Sequence, residues 1–198
     1  MVVQHTIATA GSSPADVAAE TNLAARIASA ALLEGEFTLR SGRKSRYYID
    51  KYLFETDPHV LREVAARLAA FAGPPVQRIA GAELGAVALA AAVSLHTGLP
   101  FVIVRNSKKA DYGTGKLIEG TLREGERVLL VEDVATSGGQ ALEAARLLRE
   151  HGAIVERIVA VIDRQEGARE AVTAAGIPFD ALLTSAQILA TRSGTPAA

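Results

Sequence analysis

Apolar positions along the chain fall into two patterns, helical spacing and short continuous runs, and the two alternate. Leu23, Ile27 and Ala31 or Leu32 recur at helical intervals behind Ser13, Pro14 and Asp16: a capping hydroxyl, a proline at the first helical position and an acid in the first turn. They predict a helix that ends near Leu33, before Gly35. Leu61, Val64, Ala65 and Leu68 predict another, opened by Asp57-Pro58 and closed by Gly73-Pro74-Pro75. Short, mostly apolar stretches at 76–80, 101–105, 128–131, 154–162 and 179–183 read as strands. Helical stretches separate most of them: an alanine-rich one ending near Gly98, one over 140–150, and one between the last two strands. This alternation predicts an α/β fold, a mainly parallel doubly wound sheet with ligands at the carboxyl ends of its strands. The irregular segment 35–52 should form a small N-terminal hood.

Composition narrows the picture. A length of 198 residues suits a single domain over 1–198, with loose tails at about 1–12 and 192–198. A net charge of −1 and 49% hydrophobic residues give no sign of a nucleic-acid or membrane partner. The longest apolar run, 84–95, falls short of the ~20 residues that a membrane helix needs. Without cysteine there is neither disulfide nor thiolate metal site, and the four histidines are scattered, which disfavours a histidine-based one. The first residues lack the basic start and apolar stretch of a signal peptide, so a cytoplasmic setting is expected.

Candidate chemistry concentrates at VLLVEDVATSGG, residues 128–139. The apolar run ends at two carboxylates, Glu132 and Asp133, whose oxygens can accept from vicinal ribose hydroxyls. Val134 and Ala135 lead into Thr136, Ser137, Gly138 and Gly139, which lack bulk, and then Gln140 enters a helix. Small residues let backbone N–H groups close around a phosphate, and a helix start adds free donors and a favourable dipole. Together they make a cradle for a ribose 5-phosphate. The plainer alternative is an acidic strand end followed by an ordinary turn.

Other polar segments flank this one. Arg40, Arg43, Lys44 and Arg46 precede Tyr47 and Tyr48, either as a solvated face or as a site for a planar anion. The stretch NSKKADYGTG after 101–105 reads as a hairpin loop. It is also a candidate lid, whose Arg105, Lys108 and Lys109 can neutralise a leaving diphosphate. Its GTGK completes neither GxGxxG nor GxxxxGK[ST]. Asp163 to Glu166 is a polar strand end with Arg164 in it.

The 128–139 segment resembles the diphosphoribose-binding motif of the type I phosphoribosyltransferases. Within that family, GEFTLRSGRKSRYYIDKY, FETDP, YGTGKLIEG and VIDRQEG are similar to the orotate phosphoribosyltransferases, in the same order over most of residues 20–185. The resemblance implies transfer of a phosphoribosyl group from 5-phosphoribosyl 1-diphosphate to orotate, with Mg²⁺ held through diphosphate, ribose hydroxyls and water rather than by direct protein ligation. It implies a homodimer in which the loop at about 105–118 reaches the neighbouring subunit's site. Arg40, Tyr48 and Ile49 fall at positions contacting orotate or the donor, and Arg164 at the arginine that pairs with orotate's carboxylate. Asp133, Arg105 and a loop lysine carry catalysis. The chain departs from the pattern in three places. The loop near pyrophosphate often holds a lysine, but here reads Ala82, Glu83, Leu84, Gly85. The mobile loop has Asn106 and Ala110 where lysines are usual and one extra residue, so Lys109 takes the catalytic place if the insertion bulges and Lys108 otherwise. Tyr112 stands where many members have histidine. Two other readings stay open: transfer to a different base, and a silent binder of the donor that acts as a nucleic-acid-binding regulator.

Overall fold

The structure is a computed structural model that describes residues 14–38, 42, 44–106 and 116–193. Helix α1 (Pro14–Ala31) leads into a hairpin of β1 (Leu32–Thr38) and β2 (Lys44–Ile49), followed by the short helix α2 (Lys51–Glu55) and by α3 (Pro58–Ala69). The α/β body then runs through β3 (Arg78–Ala82), α4 (Gly85–Thr97), β4 (Phe101–Val104), β5 (Ile118–Glu119) and β6 (Arg127–Ala135). It closes with α5 (Gly139–Glu150), β7 (Ile154–Asp163), α6 (Ala168–Ala174), β8 (Phe179–Thr184) and α7 (Ser185–Ser193).

Six strands form one sheet in the order β5-β4-β3-β6-β7-β8, and β1 with β2 forms a separate two-stranded sheet. All pairings in the large sheet are parallel except β4 with β5 at its edge. Helices cover both faces, which is why 128–131 and 158–162 read as unbroken apolar runs. Leu129, Val131, Val159 and Val161 join the core cluster under α1, α3 and α4, while Val128, Leu130, Ile158 and Ala160 join that under α5 and α6. Close approach is built into the first layer: a Cβ on Gly81 would lie 2.3 Å from the Ala86 carbonyl oxygen and 2.9 Å from Ala90 Cβ, so α4 sits directly on β3. Chain order reverses between β3 and β6, and the crevice outside their carboxyl ends is where such sheets take ligands.

The sheet and hood match the predicted architecture, with boundary differences that have physical reasons. Helix α1 stops at Ala31, not near Leu33, because Leu32 pairs with Ile49 and starts a strand. Strand β6 does not end at the two acids. It continues to Ala135, because β7 keeps pairing with it through Val134↔Ile162 and Ala135↔Asp163. The short α2, with Asp50 accepting from Tyr52 N at 3.1 Å as its cap, has no counterpart in the predicted elements.

The amino-terminal edge of the sheet is tied by charges. Arg78 forms a two-pronged fork with Glu126, Nε to Oε2 at 2.6 Å and Nη2 to Oε1 at 2.7 Å. Arg127 pairs with Glu156, and Arg157 with Asp180.

Candidate active site

The loop 136–138 leaves β6 and turns directly into α5. Gly138 caps that helix with φ 79, the left-handed region where glycine meets no steric penalty. A Cβ there would also lie 3.2 Å from Ala168 Cα at the start of α6. No side chain caps the helix, so its first N–H groups point toward the loop without a side-chain acceptor. Thr136 and Ser137 are exposed, and together with Gly138, Gly139 and Gln140 they line a cavity of about 490 Å³. Glu132, Val134, Ala135, Arg164 and Glu166 complete its wall.

Arg164 follows β7 and is placed by its own N–H, which donates to Ala135 O at 2.9 Å. Its guanidinium meets Glu166 at 3.0 Å. On the hood side, Arg164 also borders a small pocket with Tyr47, Tyr48, Ile49 and Val134. The hairpin that resembles the base-covering hood is therefore brought up to the arginine assigned to the base, with Val134 between them.

A second cavity, of about 370 Å³, lies on the other side of the α5 start and is lined by Ala82, Arg105, Asn106, Gly139 and Gln140, among others. Glu83 organises it. Its Oε1 accepts from Asn106 N at 2.8 Å, and its carbonyl accepts from Asn106 Nδ2 at 2.8 Å and from Gln140 Nε2 at 3.1 Å. Arg105, anchored by its N–H to Leu117 O at 2.8 Å, has its guanidinium 3.7 Å from the same carboxylate.

The two acids of β6 have different surroundings. Glu132 is buried at the cavity wall, and its Oε2 has no hydrogen-bond partner. Burial first, and the adjacent Asp133 second, push its carboxyl well above the usual range. Asp133 is equally buried, but its Oδ2 accepts from Lys51 Nζ at 2.5 Å and its Oδ1 from Val134 N at 2.5 Å. Glu55, one turn beyond Lys51, is also buried, with Oε1 unpartnered; burial and the nearby Asp133 push it up to about 8.

Among the sequence-derived candidates, the structure gathers Glu132, Val134, Ala135, Thr136, Ser137, Gly138, Gly139, Gln140 and Arg164 around one cavity, with Tyr48 and Ile49 beside it. Asp133 lies behind that wall and Arg105 at the neighbouring cavity. Arg40, Lys108, Lys109 and Tyr112 lie outside the described residues. Lys51, Glu55, Glu83 and Glu166 were not among the candidates. All four lie in segments singled out above, GEFTLRSGRKSRYYIDKY, FETDP, 82–85 and VIDRQEG, but none of them was given a role there.

An acid-bearing strand that runs into a small-residue loop and an uncapped helix start, at the switch point of a parallel sheet, is an arrangement suited to a phosphoribosyl-transferring domain. In agreement, the model of the phosphoribosyl transferase domain family matches residues 66–175. Orotate phosphoribosyltransferase of Methanocella arvoryzae is 47% identical over 155 residues, covering 78% of this chain and 88% of that protein. That of Thermococcus gammatolerans is 46% identical over 164 residues, covering 81% and 86%. Among solved structures, the Aeropyrum pernix orotate phosphoribosyltransferase superposes with a TM-score of 0.77 at 30% identity, covering 87% of this chain and 98% of that one. The Mycobacterium tuberculosis enzyme in complex with 5-phospho-α-D-ribosyl 1-diphosphate gives 0.73 at 29% identity, covering 86% and 98%. The chain belongs to the orotate phosphoribosyltransferase family.

Proposed function

We propose that the chain transfers the phosphoribosyl group of 5-phosphoribosyl 1-diphosphate to N1 of orotate, giving orotidine 5′-monophosphate and diphosphate in pyrimidine nucleotide synthesis. The observation that carries this reading is the continuity of the phosphate cradle at α5 with Arg164 and the hood tyrosines. The 5-phosphate takes the N–H groups of 136–140, the ribose hydroxyls meet Glu132 and Asp133, and the base lies between Tyr48, Ile49 and Arg164, with Thr136 at its edge. A planar two-donor guanidinium suits a carboxylate on a flat ring. Arg40 adds charge from the hood.

In the reaction the C1′–O bond to diphosphate breaks, the C1′–N1 bond forms, and N1 gives up its proton. The sugar becomes cation-like on the way, so the useful groups are those that favour that charge and the departing anion. Asp133, paired with Lys51, lies on the sugar side. Arg105 borders the cavity beside the α5 start, where Lys109, or Lys108, and Tyr112 would join it against diphosphate. No covalent nucleophile is required.

Mg²⁺ belongs with this donor, held by diphosphate, ribose hydroxyls and water. The residues suit that arrangement, since the buried Glu132 Oε2 at the cavity wall, without a hydrogen-bond partner, suits a ribose hydroxyl. When bound, the ion neutralises charge on the leaving diphosphate.

The chain acts as a single domain over 1–198, in the cytoplasm and as a homodimer. The dimer is supported by exposed Tyr52, Leu53 and Leu84, which stand on α2 and at the start of α4, two helices packed together beside the site. Among the described residues no helix is long and apolar enough to cross a membrane.

Loss of orotate absorbance on mixing the chain with orotate, 5-phosphoribosyl 1-diphosphate and Mg²⁺ tests the reaction, with adenine, hypoxanthine and uracil as parallel substrates. Consumption of orotate alone is expected. Turnover of another base instead would overturn the substrate, and turnover of none would leave a binding protein.

A further inference from the structure

Lys51 falls within the segment GEFTLRSGRKSRYYIDKY without a role assigned to it there, yet its ammonium meets Asp133 with Glu55 and Glu132 acting on the same group. Its ammonium lies 2.5 Å from Asp133 Oδ2, and its side chain keeps 27% of its surface exposed while that of Asp133 keeps 3%. Gly85 closes the other side. A Cβ there would lie 1.7 Å from Asp133 Oδ2 and 3.0 Å from Lys51 Nζ, so the first residue of α4 is pressed against the pair. Leu84 gives α4 no side-chain cap, which leaves the positive end of a helix of 13 residues facing the Asp133 carboxylate.

Two further acids surround the pair. Glu132 precedes Asp133 on β6, and Glu55 follows Lys51 by one turn of α2; both are buried and each has an oxygen without a partner. Asp50 and Tyr52, flanking Lys51, are the remaining titratable groups acting on the cluster. Three buried carboxylates cannot all be ionised beside one ammonium, because each unpaired buried charge is strongly disfavoured. Glu132 and Glu55 are both pushed upward, by burial first and by Asp133 second, while the ammonium of Lys51 draws both downward.

We propose that Lys51 is a positioning residue for the ribose site: from α2 it clamps Asp133 against the start of α4, fixing the carboxylate's orientation and supplying its counter-charge. This rests on the proposed reaction for its kinetic consequence, but not for its binding consequence. The clamp also joins the hood side of the chain to the sheet, since α2 follows directly on β2. A neutral residue at 51 leaves Asp133 buried without a counter-charge and removes the ammonium that draws the Glu132 and Glu55 carboxyls downward.

The test is calorimetric titration of Lys51→Met, Lys51→Arg and the parent chain with 5-phosphoribosyl 1-diphosphate and Mg²⁺ between pH 6 and 9, alongside steady-state kinetics with orotate. Lys51→Met should weaken donor binding at least tenfold, move the acid limb of the binding profile to higher pH, and leave the KM for orotate unchanged. Lys51→Arg should restore binding to within about threefold of the parent, because charge is what the clamp supplies. If Lys51→Met does not fold, Lys51→Gln carries the same comparison. A lower Tm with donor affinity and pH profile unchanged would make Lys51 a structural residue only and overturn the proposal. A parent chain that binds donor but leaves orotate untouched would instead overturn the proposed reaction, with the binding comparison still deciding the role of Lys51.

Discussion

Arg164 and Glu166 face each other at 3.0 Å across the wall of the phosphate cavity, so the guanidinium assigned to the base is already engaged by a carboxylate of its own chain. Orotate must share or displace that partner. Hydrogen bonds to charged groups are worth about 1.5–3 kcal/mol, so Arg164→Ala should raise the KM for orotate about 10–100-fold with little change in that for the donor. Glu166→Gln keeps the shape and removes the competing charge, and should lower the orotate KM. Steady-state kinetics at saturating donor checks both, and an unchanged orotate KM in Arg164→Ala would remove the arginine from the base site.

Gly138→Ala and Gly125→Ala separate backbone strain from the phosphate cradle. Both positions have positive φ, 79 and 74, but only at Gly138 does an added Cβ meet α6, at 3.2 Å from Ala168 Cα. Each substitution should cost about 1–2 kcal/mol for the left-handed backbone. Only Gly138→Ala should also weaken binding of ribose 5-phosphate, since it shifts the start of α5. Thermal melts with and without that ligand give the comparison.

The Arg78–Glu126 fork is buried, with side-chain exposures of 5% and 11%. Removing one partner of such a pair costs about 3–5 kcal/mol, so Arg78→Ala should lower Tm substantially. The hydrogen bond from Arg78 holds the Glu126 carboxyl below its usual range. A depressed pKa in the folded state adds stability above the unfolded value and loses it as pH falls. The parent chain should therefore lose stability below about pH 4.5, and the variant should show a shallower loss there. Parallel acid-unfolding curves test the difference in slope.

Glu55 has the opposite sign. Its carboxyl is pushed up to about 8 by burial and by Asp133, so between the ordinary value of 4.5 and about 8 the folded chain holds a proton that the unfolded chain has released. Its contribution is complete below pH 4.5, declines as pH rises, and is gone above 8. Glu55→Gln, which keeps the volume and cannot ionise, should raise Tm at pH 8–9 and leave it nearly unchanged at pH 4. At about 2–4 °C per kcal/mol even part of the effect is measurable. An equal change at both pH values would mean that the carboxyl is not protonated in the fold.

The sheet was legible because its strands are covered on both faces: 128–131 and 158–162 are apolar without interruption, and only a doubly covered strand needs that. The small-residue loop and the cavity it lines were legible for a different reason, since small residues between a strand and a helix announce a backbone that must approach something closely. Lys51 was not legible. Its neighbours are Asp50 and Tyr52, ordinary surface residues, and its significance arises from Asp133, 82 positions away, which the winding of β6 beside the start of α4 brings to it. Glu83 was hidden in the same way, because its bonds to Asn106 and Gln140 join three loops of different strands. Strand β6 was read too short, since Glu132 and Asp133 look like solvated residues until burial on both sides is known.

The Arg78–Glu126, Arg127–Glu156 and Arg157–Asp180 pairs belong to the strand starts or their neighbourhood, whereas the cradle, Arg164 and Glu83 belong to the strand exits. One sheet thus divides its labour between its two rims. Sequence drift or deliberate redesign can reset the working temperature at the entry rim while the exit rim keeps its chemistry, and a new acceptor specificity can be explored at the exit rim on a scaffold whose endurance is secured elsewhere.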